Sequence, residues 1–271
     1  MLLIGHRGCR GLLPENTLAS FREAIKLGVH AIELDVVVSR DKKVVVSHEP
    51  FISQTYCLKP DGVELSSNED QKFNLFQMSY DEIKQFDCGL KSHPRFPNQK
   101  KQKAYKPLLK EVIDTCDDFA KNNSHKSIDY IIEIKSNFKY YNTFYPEPKE
   151  YVKLVLETIS GYNLKNRIVL KSFDIAVLNE IKKQHPEIKV SLLINRQEVI
   201  PDKLKQLNFK PDILGPYFEL LTKDEVAKYQ NKGFQIFTWT VNEIADIEQI
   251  QFYGVDGIIT DYPDRLVRIL V

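Results

Sequence analysis

The chain has 271 residues with a formal net charge of +1, 42% hydrophobic and 28% charged side chains. That length suits one large α/β domain with a substantial core, and the near-neutral charge excludes a whole-molecule electrostatic match to nucleic acid. No apolar run approaches the roughly 20 residues of a membrane span, and no leader peptide precedes the first apolar stretch, so the sequence predicts a cytoplasmic protein. Four cysteines, Cys9, Cys57, Cys88 and Cys116, follow no zinc or C-x-x-C spacing. They read as free thiols of a reducing compartment.

In chain order, short apolar runs predict eight strands, over residues 2–6, 31–38, 130–135, 168–171, 190–194, 213–215, 235–240 and 257–260. Helical patterns at 17–27, 108–121, 150–160, 175–184, 222–231 and 243–252 separate most of them. Buried parallel strands are continuous Val/Ile/Leu runs, and eight βα units predict a closed (β/α)8 TIM barrel, α/β in class, rather than an open sheet. The single domain spans 1–271, with one departure from the alternation. After a hairpin through Arg40-Asp41-Lys42, residues 51–106 leave the pattern, and a connection this long predicts a small cap inserted after the second strand. Its end, residues 91–106, carries six Lys/Arg and no Asp/Glu. It reads as a solvated loop or as an anion-attracting patch.

In a parallel barrel, polar residues at the C-terminal strand ends build the site. The first strand runs into "GHRGCRGLLPENT", which places His6 and Arg7 at such an end, followed by a glycine-rich turn. The second strand, "AIELDVVV", directs Glu33 and Asp35 to one face, because residues i and i+2 of a strand share a side. Two buried carboxylates require a cation or a basic partner. An exposed edge strand is the alternative, and the following Val36, Val37 and Val38 oppose it. "YIIEIKS" repeats the device with Glu133 and Lys135, either a structural pair or a third carboxylate for the same ion. Three carboxylates with no clustered thiolates suit one hard divalent cation, Mg²⁺ or Ca²⁺, rather than zinc. His48, ending the hairpin strand, falls near the same mouth. Two imidazoles, Arg7, Lys135 and a divalent cation form a set fitted to an anionic phosphorus centre. Late in the chain, Trp239 in "FTWTVN" is a core aromatic or a substrate wall, and Asp261 is a strand-end acid or a helix cap.

Taken together, "GHRG", "PENT", "ELDV" with the later His48, "EIK", "WTVN" and "GVDGIITDYP" resemble the glycerophosphodiester phosphodiesterase family. The resemblance implies a TIM barrel with an insertion after the second strand. It implies His6 and His48 as the acid/base pair, Glu33, Asp35 and Glu133 as metal ligands, and Arg7 and Lys135 as phosphate contacts. The implied reaction is hydrolysis of a small-molecule glycerophosphodiester to sn-glycerol 3-phosphate and an alcohol. One departure stands out: family members commonly have His-Asp where this chain has His48-Glu49, which places the support of His48 in question. Two other readings remain: a phospholipase-type enzyme docking on lipid through residues 91–106, and a non-catalytic phosphodiester-binding barrel. The basic segment lacks an amphipathic apolar face, and all carried-over positions are intact.

Overall fold

A strand covered on both faces must be apolar on both, and Ala31–Val38 is buried at every position despite carrying Glu33 and Asp35. A computed structural model describes residues 1–67, 69–164 and 166–270. In chain order the elements are β1 (Leu2–Gly5), α1 (Leu18–Lys26), β2 (Ala31–Val38), β3 (Val44–Val46), α2 (Tyr80–Ile83), α3 (Leu109–Asn122), β4 (Asp129–Ile134), α4 (Pro148–Ser160), β5 (Ile168–Ser172), α5 (Ile175–Gln184), β6 (Lys189–Ile194), α6 (Ile200–Leu204), β7 (Ile213–Pro216), α7 (Lys223–Gln230), β8 (Gln235–Thr238), α8 (Ile244–Tyr253), β9 (Gly257–Thr260) and α9 (Pro263–Leu270). β1 pairs in parallel with both β2 and β9, which closes a ring of eight parallel strands among the described residues. The expected (β/α)8 barrel is the fold. β3 lies outside the ring, antiparallel to β2, with Val36 opposite Val46 and Val38 opposite Val44. No helix among the described residues is long and apolar enough to cross a membrane.

Strand alternation divides the core in two. Ile32, Leu34 and Val36 face outward into the large cluster beneath the helices, with Phe21, Val112 and Tyr151. Ile4, Ala31, Ile131, Ile213, Phe237 and Ile259 form a separate buried cluster inside the barrel. Two residues further along the same faces stand His6, Glu33 and Glu133, so this apolar plug is the floor of a polar mouth.

Between β3 and α3 the chain forms a packed layer over one side of that mouth. Ile52, Tyr56, Leu65, Leu75, Ile83 and Phe86 are buried and join the main cluster. An antiparallel bridge pairs Val45 with Leu108, and Leu58 bridges both Glu64 and Asp87. A disulfide between Cys57 and Cys88 closes the layer across 31 residues, whereas Cys9 and Cys116 are buried free thiols. This corrects the reading of four free cysteines: irregular chain brings the two sulfurs together, and no spacing rule reaches that far. Denatured without reductant, the protein should titrate two thiols, and four after reduction. Four thiols before reduction would exclude the bridge.

Candidate active site

Sheet register places the charged groups side by side. Asp35 is the Cα partner of Glu133, and Glu133 that of Lys171, so three adjacent strands present them at one level. Glu33, Asp35 and Glu133 each offer an oxygen within 4.8 Å of the others, and all three residues are buried. Lys171 Nζ lies 2.7 Å from Glu33 Oε1 and 3.6 Å from Glu133 Oε2. Lys135 Nζ donates to Glu133 Oε1 at 2.7 Å and stands 3.8 Å from Asp35 Oδ1. Burial would raise the Asp35 carboxyl, but Arg7, His48 and the two lysines outweigh it and hold it well below the usual range. The same balance, led by Lys135, lowers Glu133. Burial would discharge Lys135 and Lys171, yet the facing carboxylates raise both, so they remain ammonium groups.

The donor set fits a hard divalent cation: three carboxylates and no sulfur. The three carboxylates are buried together, and Lys171 Nζ, 2.7 Å from Glu33 Oε1, is the counter-charge that a bound ion would share with them.

His6, just past β1, has Nδ1 2.6 Å from Asp261 Oδ1, across 255 residues of sequence. Asn242 Nδ2 donates to Asp261 Oδ2 at 2.8 Å, and the Asp261 backbone N–H donates to Asn242 Oδ1 at 2.9 Å. Burial would raise Asp261, while His6 and its hydrogen bonds hold it far below its ordinary value. Asp261 is therefore a partner of His6 rather than a helix cap. His48 is held in the same way, with Nδ1 2.8 Å from Glu49 Oε1. In each ring the carboxylate at Nδ1 leaves Nε2 as the atom available to a substrate.

The glycine-rich turn explains itself at Arg7 and Gly8, with φ of 51° and 87°. Gly8 packs so tightly on Ser20 that a Cβ would overlap it. The turn aims the Arg7 backbone N–H at Glu33 Oε2, 3.0 Å away. The Arg7 guanidinium meets Glu15 Oε1 at 2.7 Å and Asp35 Oδ2 at 3.1 Å, and Asn16 Nδ2 also donates to Asp35 Oδ2 at 3.0 Å. Arg7 is thus engaged by protein carboxylates as well as facing the cavity, and Glu15 and Asn16 of "PENT" are its partners.

These groups line one cavity of about 480 Å³, shared by His6, Arg7, His48, Glu133, Lys135, Lys171 and Trp239. Trp239, just past β8, donates its indole N–H to Gly215 O at 2.7 Å and packs edge-on against Phe173 and Tyr217. It is a wall, with an aromatic cluster that the sequence did not reveal. Of the basic segment, Arg95 lines the cavity, Lys106 is buried, and Lys91 is spent on Gln54 O and Glu64. These three residues are built into the cap, whereas Lys100, Lys101 and Lys103 are exposed. Sequence reasoning missed Lys171, Asn242 and Glu15, and it left Asp261 open between a strand-end acid and a helix cap. Lys171 and Asp261 carried a usable signal, a charged residue at the end of an apolar strand.

A sequence model of the glycerophosphoryl diester phosphodiesterase family matches residues 6–265. A glycerophosphodiester phosphodiesterase of Caldanaerobacter subterraneus is 32% identical over 99% of this chain and 97% of its own. A solved structure from Silicibacter pomeroyi superposes with a TM-score of 0.89 at 33% identity, covering 100% of this chain and 93% of that one. An Oleispira antarctica phosphodiesterase, solved with the product sn-glycerol 3-phosphate, shares the fold at a TM-score of 0.78 and 22% identity, covering 100% of this chain and 96% of that one. On the family match and the Caldanaerobacter relative, the chain belongs to the glycerophosphoryl diester phosphodiesterase family.

Proposed function

We propose that the protein hydrolyses glycerophosphodiesters to sn-glycerol 3-phosphate and an alcohol, with His6 and His48 as the acid/base pair. The observation that carries this reading is a buried triad of carboxylates beside two imidazoles, each oriented at Nδ1 by its own carboxylate. One Mg²⁺ or Ca²⁺ held by Glu33, Asp35 and Glu133 would supply charge neutralisation at the phosphate oxygens. Lys135, Lys171 and Arg7 face the three carboxylates, so a divalent ion bound there would add positive charge toward a phosphodiester anion. One imidazole takes at Nε2 the proton of the attacking oxygen as the new P–O bond forms: that of water directly, or that of the glycerol hydroxyl with a cyclic phosphate that water then opens. The other gives its Nε2 proton to the departing alcohol oxygen as the old P–O bond breaks. Trp239 closes the substrate wall.

The Cys57–Cys88 bridge favours an oxidising compartment over the reducing one expected from cysteine spacing. The family's His-Asp pair is replaced by His48-Glu49, and the longer acid still reaches Nδ1 at 2.8 Å.

The test is release of sn-glycerol 3-phosphate from glycerophosphocholine, glycerophosphoethanolamine and glycerophosphoglycerol, with and without chelator. The expected specificity constants fall within about 100-fold of one another, the span that modest pocket differences produce. Diesters lacking glycerol should be much poorer, because they lose remote binding energy used for orientation. No release from any of the three would end this reading. A preference above about a thousandfold for one head group would instead reveal a dedicated alcohol pocket, first sought at Phe173 and Tyr217.

A further inference from the structure

The two imidazoles are held by one device built twice. For His6 the sequence of contacts is imidazole, Asp261, Asn242, with the amide fixing the second carboxylate oxygen. For His48 the corresponding third member comes from the cap. Tyr56 donates its hydroxyl to Glu49 Oε2 at 2.5 Å, while Glu49 Oε1 faces His48 Nδ1. Tyr56 is itself clamped. His93 stacks on its ring with centroids 5.7 Å apart, and Lys106 Nζ stands 5.1 Å from the ring centroid and 3.4 Å from the hydroxyl. Lys106 also donates to Ser47 Oγ at 2.8 Å, and Ser47 Oγ donates to the Glu49 carbonyl at 2.6 Å. The next residue, Cys57, is tied to Cys88.

We infer that Tyr56 is a positioning residue for His48, so that the cap completes the catalytic geometry instead of only covering it. This rests on the proposed role of His48. A carboxylate bonded through one oxygen can swing about its own side chain. Bonded through both, it holds the imidazole tautomer and ring plane that leave Nε2 on the substrate. Glutamate at position 49 suits this arrangement because the longer side chain spans from His48 to a phenol anchored in the cap. Lys106 fixes the phenol from its other side and ties it to the backbone beside His48. Burial, reinforced by the Glu49 charge, raises the Tyr56 hydroxyl well above its ordinary value, so it stays a donor.

The test compares wild type, Tyr56→Phe, Glu49→Asp, the double variant and His48→Ala, measuring kcat and KM for sn-glycerol 3-phosphate release at saturating divalent ion, with melting curves for each. Lys59→Ala breaks a cap ion pair to Glu69 outside this network and serves as the control. Tyr56→Phe should lower kcat by about 10–50-fold, the scale of a small misplacement of a reacting group, with KM within about threefold. Glu49→Asp shortens the acid away from the phenol and should lose as much, and the double variant should lose no more than either single change. Lys59→Ala should keep its kcat. If Tyr56→Phe fails to fold, Lys106→Met, which frees the phenol from its clamp and leaves the Glu49 and His48 side chains in place, decides the matter: a kcat loss at unchanged KM supports the assignment and a normal kcat overturns it. Near-normal kcat in Tyr56→Phe, a loss confined to KM, or additive losses in the double variant would overturn the assignment. An active His48→Ala would instead overturn the role of His48 itself.

Discussion

His6→Ala and His48→Ala should each lower turnover by about 10²–10⁴-fold, the contribution of a positioned acid or base. The two losses should not multiply, because once one proton transfer is gone the other group has less of a transition state to serve. Folding should survive both changes. His6 stands past the end of β1, above the apolar plug of Ile4, Ala31 and Ile131, and His48 is partly exposed in the bend after β3. The His6 variant leaves Asp261 buried with its charge no longer facing a ring, so it should melt somewhat lower than His48→Ala. His185, exposed at the far end of α5 and paired only locally with Glu187, is the internal control and should be replaceable without loss. Steady-state release of sn-glycerol 3-phosphate with circular dichroism of each variant checks all three. A His6 or His48 variant that keeps near-normal turnover shows that the residue was misassigned.

What the sequence disclosed follows the range of the interactions involved. The eight barrel strands are legible because burial on both faces leaves uninterrupted apolar runs, as in Ala31–Val38 and Asp129–Ile134. Glu33 with Asp35, and Glu133 with Lys135, are legible because strand geometry makes i and i+2 neighbours, a relation that spacing alone conveys. Lys171 needed the β4–β5 register, which pairs it with Glu133, and no local pattern carries register between strands separated by a helix. His6 and Asp261 meet only because the barrel closes, bringing β9 beside β1. Tyr56 and the Cys57–Cys88 bridge lie in irregular chain, where each position depends on packing rather than on a repeat. The departure at Glu49 was visible as a residue type, but its consequence required the phenol on the other side.

Removing divalent ions should abolish turnover, and Mg²⁺ or Ca²⁺ should restore it. The expectation follows from the charge balance at the triad. Asp35 and Glu133 are held below their ordinary values, so both are ionised at neutral pH and available as ligands without releasing a proton. Lys171 and Lys135 keep the cluster from being an unpaired buried charge, and this separates folding from metal loading: the stripped protein should still melt cooperatively. Added ion should then raise the melting temperature, since a ligand at 100 times its dissociation constant stabilises the native state by about 2.7 kcal/mol. Glu133→Gln removes one ligand charge while retaining the shape of the side chain. It should weaken the metal-dependent shift and lower activity at limiting ion, with partial recovery at high ion concentration. Glu33→Gln should be the more damaging of the two, because Glu33 also accepts the Arg7 backbone N–H and faces Lys171, so its loss disturbs the turn that carries Arg7. Titrating Mg²⁺ and Ca²⁺ into chelator-treated wild type and both variants, with melting temperature and sn-glycerol 3-phosphate release read in parallel, measures every term. Full turnover in a preparation stripped of divalent ions, or a melting temperature indifferent to both, would show that the lysines already satisfy the triad and that the phosphate is met by protein cations alone.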